Sequence, residues 1–183
     1  MRVLAISGSL RADSNNTGLL RALREEAPEG VEVVIWDGLK AIPAYDADDD
    51  VVPGPVTVDA FRELVRESDA VFFATPEYNS SVPGALKNAL DWASRPLATN
   101  AFRNKPVAVI SSSAGAFGGV WAAAELRKIL GAMGTRVTEA ELAVGHAHEK
   151  FDDDGGLVDE NIRQGLREAL DTLLADVVPA VAA

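Results

Sequence analysis

The sequence predicts an α/β fold: one doubly wound domain over residues 1–183, with a parallel sheet covered by helices on both faces. Three observations predict it. Five short apolar or β-branched segments alternate with stretches whose apolar residues recur at helical spacing. The central segments, Ala70–Thr75 and Val107–Ser111, are apolar without alternation, as strands buried on both faces are. No internal repeat and no linker divides the chain, and 183 residues suit one domain with a real core.

Arg2–Ser7 is a short apolar run and reads as the first strand. Over residues 16–27, Leu19, Leu20 and Leu23 share a helical face, and Pro28 and Gly30 end the pattern. Val31–Trp36 is β-branched, the second strand. Residues 37–56 form a loop rich in Asp, Pro and Gly, long enough to mark a functional or mobile segment. A helix over 57–67 sets Phe61, Leu64 and Val65 on one side, ahead of the strand Ala70–Thr75. The turn TPEYNSSVPG then leads into a helix over 83–94. After Val107–Ser111 comes the loop SSSAGAFGG and a helix over 119–133 carrying Leu126, Ile129, Leu130 and Met133. Gly134 ends it, and Arg136–Leu142 reads as the last strand. An acidic turn, Asp152–Gly156, precedes a final helix with Ile162, Leu166, Leu170, Leu173 and Leu174.

Composition excludes several classes of function. Cysteine is absent, so thiolate catalysis, disulfides, iron–sulfur clusters and cysteine-held zinc are ruled out. With 28 acidic and 17 basic side chains the net charge is −11, which repels nucleic acid and anionic lipid. No apolar stretch is long enough to span a bilayer, and MRVLAISGSL has too short an apolar run for a secretory signal. The expectation is a cytoplasmic protein that acts on small molecules, with no nucleic acid or membrane partner.

In an open parallel sheet, ligands settle beyond the carboxyl ends of the strands, where three loops of unusual composition lie. In GSLRADSNNT, Gly8 permits a tight exit from the strand. Ser9, Ser14, Asn16 and Thr17 offer side-chain donors, and Arg11 offers a forked cation suited to phosphate oxygens. This makes a phosphate cradle without the glycine spacing of a P-loop or a dinucleotide fingerprint. In the second loop Pro76 restricts the backbone, Gly84 is expected to let a neighbour approach, Asn79 can bond the edge of a planar ring and Tyr78 can cover its face. Glu77 is the one ionisable side chain there. In the third loop Ser113, Gly115, Gly118 and Gly119 leave room for a ring or a polyol chain, before a helix start that favours negative charge.

The motifs GSLRxxSxN (Gly8–Asn16), TPEYNxSxPGxLKNAxDW (Thr75–Trp92) and SxGxxGG (Ser113–Gly119) closely resemble those of the NAD(P)H-dependent FMN reductases, a flavodoxin-like family that includes quinone and chromate reductases. The resemblance covers about residues 1–135 in order and spacing. It implies a flavodoxin-like three-layer sandwich, a five-stranded parallel sheet of order 2-1-3-4-5, and noncovalent FMN. It implies Ser9, Arg11, Ser14, Asn16 and Thr17 at the FMN phosphate, Pro76, Glu77, Tyr78 and Asn79 around the isoalloxazine, and Ser113 and Gly115 beside it. It further implies hydride transfer from NADPH or NADH to the flavin, then to a quinone, azo, chromate or free-flavin acceptor, in a homodimer or homotetramer. No residue is assigned as a general acid; Glu77 is expected to serve structure or subunit contacts. The segment Ala44–Asp46 is expected to approach the ring, and Trp92 to sit at a subunit interface.

Two other classes compete: a one-electron flavodoxin-type carrier, which the acidity suits but the Arg11-bearing first loop does not, and a flavin-bound regulatory module, for which nothing in the sequence argues positively. NADPH oxidation without a partner reductase distinguishes the enzyme from both. His146, His148 and Glu149 lack a further ligand at metal spacing and read as surface residues. Asp152–Asp154 departs from the calcium-loop pattern and reads as a solvated turn.

Overall fold

The computed structural model describes residues 1–177; residues 178–183, the end of the domain expected from the sequence, lie outside the described residues. In chain order the main elements are β1 (Arg2–Ser7), α1 (Asn15–Glu25), β2 (Glu32–Trp36), α2 (Val56–Glu67), β3 (Ala70–Thr75) and α3 (Gly84–Ala93). There follow β4 (Pro106–Ser112), α4 (Val120–Ala132), β5 (Arg136–Val137), β6 (Ala143–Val144) and α5 (Glu160–Val177). The named strands pair in parallel in the order β2-β1-β3-β4-β5, with β6 also pairing β4. The chain steps from β1 outward to β2 and returns to β3 on the other side. The crevice of the sheet therefore opens between the loops after β1 and β3.

The absence of alternation in the strands has a direct cause. Leu4, Ile6, Val71, Phe73, Val107 and Val109 face one core, with apolar residues of α2, α3 and α4. Val3, Ala5, Ala70, Phe72, Ala108 and Ile110 face the other, with α1 and α5. Both sides of β1, β3 and β4 leave water, and each fully buried aliphatic or aromatic side chain contributes roughly 1.5–3 kcal/mol. This is the three-layer sandwich that the sequence implied.

Three expectations need correction. The stretch Arg136–Leu142 is not one strand. Thr138 N–H still donates to Val107 O at 2.8 Å, and Ser111 N–H donates to Leu142 O at 3.0 Å, but the chain bows out between them. There the Arg127 guanidinium of α4 donates to Val109 O at 2.7 Å and to Ala140 O at 2.5 Å, replacing a strand N–H. Burial pushes this guanidinium below its ordinary pKa, against the pull of the Glu141 carboxylate.

Trp92 is wholly buried in the core, not at a subunit surface, and its indole N–H donates to Pro43 O at 2.9 Å. The long loop, for its part, is pinned. It winds through two 3₁₀ turns, Gly38–Ala41 and Ala47–Asp49. The Asn88 amide accepts from Tyr45 N–H at 2.8 Å and donates to Pro43 O at 2.7 Å. Tyr45 meets Trp92 edge-on, with ring centroids 4.9 Å apart. Farther along, the buried Arg62 pairs with Asp50 at 2.8 Å and donates to Trp92 O at 2.7 Å. The latter half of the second motif thus serves as a buckle for residues 43–50.

On the opposite face, Glu26 accepts from Arg163 at 2.8 Å and from Arg167 at 2.7 Å, tying the end of α1 to α5. Arg167 and then Arg163 hold its carboxyl below the ordinary value of 4.5. A carboxyl lowered in the folded state adds stability above its unfolded pKa and loses it as pH falls through the folded value. Urea midpoints should therefore fall more between about pH 6 and pH 3 in the wild type than in Glu26→Gln. Equal losses would show that this ion triad contributes nothing.

Candidate functional site

Three loops meet above the carboxyl ends of β1, β3 and β4, and buried polar bonds join them. At the exit of β1, Gly8 N–H donates to Ala74 O at 2.8 Å. A Cβ on Gly8 would lie 3.0 Å from Thr75 Oγ1 and 3.2 Å from Pro76 Cδ, so side chains of the second loop pack directly on the Gly8 backbone. The Ser7 hydroxyl accepts from Ser9 N–H at 3.3 Å and from the Thr17 hydroxyl at 2.9 Å. Ser9 Oγ in turn accepts from Arg11 N–H at 3.3 Å.

Ser14 caps α1, its hydroxyl facing Thr17 N–H at 3.5 Å. The first-turn amides of a helix have no intrahelical acceptor, so α1 offers unpaired N–H groups beside Arg11. The exposed Arg11 guanidinium folds onto its own loop, donating to Asp13 O at 2.6 Å, which engages one of its five donors. A recess of about 220 Å³ opens here, bordered by Ser7, Ser9, Arg11 and Thr17 and closed by Trp36 and Asp37.

Asn16, expected among these donors, is instead buried and engaged elsewhere. Its Nδ2 donates to Ser112 O at 3.2 Å, and its Oδ1 accepts from Ser112 N–H at 3.1 Å. One side chain thereby satisfies both main-chain groups of the residue at the end of β4, where the ladder runs out. The first and third loops are tied through it.

The second loop is a two-residue turn. Tyr78 N–H donates to Ser81 O at 3.0 Å and Ser81 N–H to Tyr78 O at 3.1 Å, with Asn79 and Ser80 both left-handed at φ 52° and 60°. This is the type I′ geometry, held at two residues other than glycine. Pro76 is buried, while Tyr78 and Asn79 point outward, with Tyr78 52% exposed. Gly84 meets no atom within 4 Å of a Cβ position, so it does not serve a close approach. Glu77 reaches across to α4: its Oε2 accepts from Trp121 N–H and Ala122 N–H, each at 3.1 Å.

In the third loop Ser113 Oγ donates to Gly115 O at 3.2 Å, and Ala147 N–H donates to Ser113 O at 3.0 Å. A Cβ on Gly118, at φ 63°, would lie 2.7 Å from the Val144 nitrogen, which only glycine permits. A Cβ on Gly115 would make only an ordinary contact with Ser113 Oγ, at 3.7 Å. The structure brings Ser9, Arg11 and Thr17 to one recess, leaves Ser14 on the far side of Arg11 as the cap of α1, and sets Pro76, Tyr78 and Asn79 on the neighbouring turn; Ser113 and Gly115 lie in the third loop. His146 and His148 are exposed, and Asp152 Oδ1 accepts from Asp154 N–H and Gly156 N–H, closing its own turn. Among the described residues no group of three or more His, Asp or Glu side chains is placed to hold a metal.

The donor set suits a ligand with a phosphomonoester at one end and a flat ring at the other. Donors and unpaired amides gather at α1, while the second loop presents rigid backbone and the third presents space.

A family model described as NADPH-dependent FMN reductase matches residues 1–149. An NAD(P)H-dependent FMN reductase of Pseudomonas aeruginosa is 39% identical over 174 residues, covering 94% of this chain and 93% of that protein. An NADPH:quinone oxidoreductase of Arabidopsis thaliana is 42% identical over 182 residues, covering 96% and 91%. The solved structure of a flavoenzyme NAD(P)H:acceptor oxidoreductase from Paracoccus denitrificans superposes with a TM-score of 0.86 at 34% identity, covering 96% of each chain.

Removing the Asn16 side chain orphans two buried main-chain groups. Asn16→Ala should cost about 2–4 kcal/mol in urea unfolding. A loss below about 0.5 kcal/mol would show that the tie is dispensable.

Proposed function

The chain belongs to the NADPH-dependent FMN reductase family, and from that premise we propose that it is a flavin-dependent oxidoreductase carrying reducing equivalents from NADPH or NADH to a small-molecule acceptor of quinone type. The observation that carries this reading is the pairing of an open helix start beside Arg11 with a rigid turn at the switch point of the sheet. Azo compounds, chromate and free flavin are further acceptors of the same two-electron class. Bound FMN supplies the redox chemistry, accepting a hydride equivalent and passing it on.

The chain's own residues bind and orient. Arg11, Ser9, Ser14 and Thr17, with the first amides of α1, hold the phosphate. Main-chain groups of Pro76, Glu77, Tyr78 and Asn79 line the ring edge, and donors aimed where negative charge develops stabilise it. Ser113 and Gly115 border the ring on the other side. Asn16 contributes through its bonds to Ser112. The buckled segment Ala44–Asp46 walls the acceptor side. The working form is a cytoplasmic homodimer or homotetramer of a single flavin-binding domain.

The purified protein should be yellow, and its visible flavin bands should bleach on anaerobic addition of NADPH or NADH. Steady-state NADPH oxidation without a partner reductase should follow, which a one-electron carrier does not support. Arg11→Ala should raise the FMN dissociation constant by about 10- to 150-fold, the worth of a hydrogen bond between charged groups. Unchanged affinity would remove Arg11 from the phosphate, and a colourless protein that FMN does not activate would overturn the whole reading.

A further inference from the structure

We infer that Glu77 is a positioning residue: its carboxylate holds the start of α4, and the third loop with it, in register with the second loop, and does not touch the cofactor. The inference rests on the function proposed above and names a role within that site.

Helix α4 has no cap of its own. Its N-cap position is Gly119, at φ 83° and with no side chain to accept a bond. The first-turn amides of Trp121 and Ala122 are satisfied by Glu77 Oε2, from a loop 44 and 45 residues earlier in the chain. Close packing accompanies these bonds. A Cβ on Gly119 would stand 3.5 Å from Glu77 Cβ and 3.3 Å from Ser111 Cβ, so the helix start, the second loop and the end of β4 meet at one point. The carboxylate also neutralises the positive end of α4.

The α4 start is occupied by a carboxylate, whereas the α1 start lies beside the Arg11 cation. Glu77 acts from behind the second loop. Its main chain lies between Pro76 and the rigid turn at Tyr78, so a shift of the Glu77 side chain moves the backbone that faces the ring.

Gln keeps a side-chain oxygen that can accept both amides and loses only the charge. Proline at 121 deletes one donor while leaving Glu77 intact, and it is tolerated in a first helical turn. Two readouts follow: FMN dissociation constants by fluorescence quenching, and hydrogen exchange at the Trp121 and Ala122 amides in flavin-free protein. Glu77→Ala should speed that exchange and weaken FMN by about tenfold, and Glu77→Gln should restore FMN affinity to within about threefold. Trp121→Pro should reproduce the loss of affinity, and Trp121→Ala should not. If Glu77→Ala does not fold, the comparison of Glu77→Gln with Trp121→Pro carries the test.

Glu77→Gln weakening FMN as much as Glu77→Ala or Trp121→Pro would mean that the charge meets the cofactor, and would overturn the inference. Faster exchange with wild-type FMN affinity would reduce the contact to a helix cap and also overturn it. A wild-type chain that takes up no FMN would defeat the function reading and this role together, a failure visible without any variant.

Discussion

The carboxyl edge of the sheet depends on one constraint: main-chain groups left over where strands end and helices begin must find partners. The ladder of β4 runs out at Ser112, and the Asn16 amide completes both of its main-chain bonds. Helix α4 starts without a local cap, and Glu77 supplies one. Each solution comes from a different loop, so satisfying the backbone also fastens the loops to one another. A buried polar group without a partner costs about 1–3 kcal/mol, which makes the buried Asn16–Ser112 tie hard to break. A site for a flat ligand needs walls that keep their spacing, and the same bonds provide it.

Rigidity at this edge is bought with unusual backbone. Asn79 and Ser80 hold positive φ without being glycine, and Gly118 and Gly119 pack where no side chain fits. Such conformations persist only where the surroundings over-determine them. Here those surroundings are the Tyr78–Ser81 bond pair, the 143–145 segment and the Glu77 contact. The opposite flank follows the same logic on a larger scale. Asn88, Trp92 and Arg62 gather the acidic loop onto α3 and α2, so Tyr45 and Asp50 lie against the body of the protein while Asp46, Asp48 and Asp49 stay exposed.

Charge is distributed to match. The chain carries a net charge of −11, yet the recess at α1 sets Arg11, Lys40 and hydroxyls against the one carboxylate of Asp37, and the Glu77 carboxylate of the second loop sits on a helix start.

Much of this was legible in the residues. Strands apolar on both sides, separated by helical periodicity, determined a parallel sheet between two helical layers, because only burial on both faces removes the need for alternation. Motif spacing identified the loops that flank the crevice and the chemistry each can offer. What only the tertiary structure decided is which donors remain open for a ligand. Asn16 looks like any other polar residue of a phosphate loop until the fold brings Ser112, 96 residues later, within reach. Glu77 and Trp92 were equally ambiguous, one between the flavin and a structural or subunit contact, the other between the core and a subunit interface. The break after Val137 was invisible for the same reason: Arg127 replaces strand pairing from a helix. Local pattern records what a residue is able to bond, and the three-dimensional path of the chain determines which partner reaches it first.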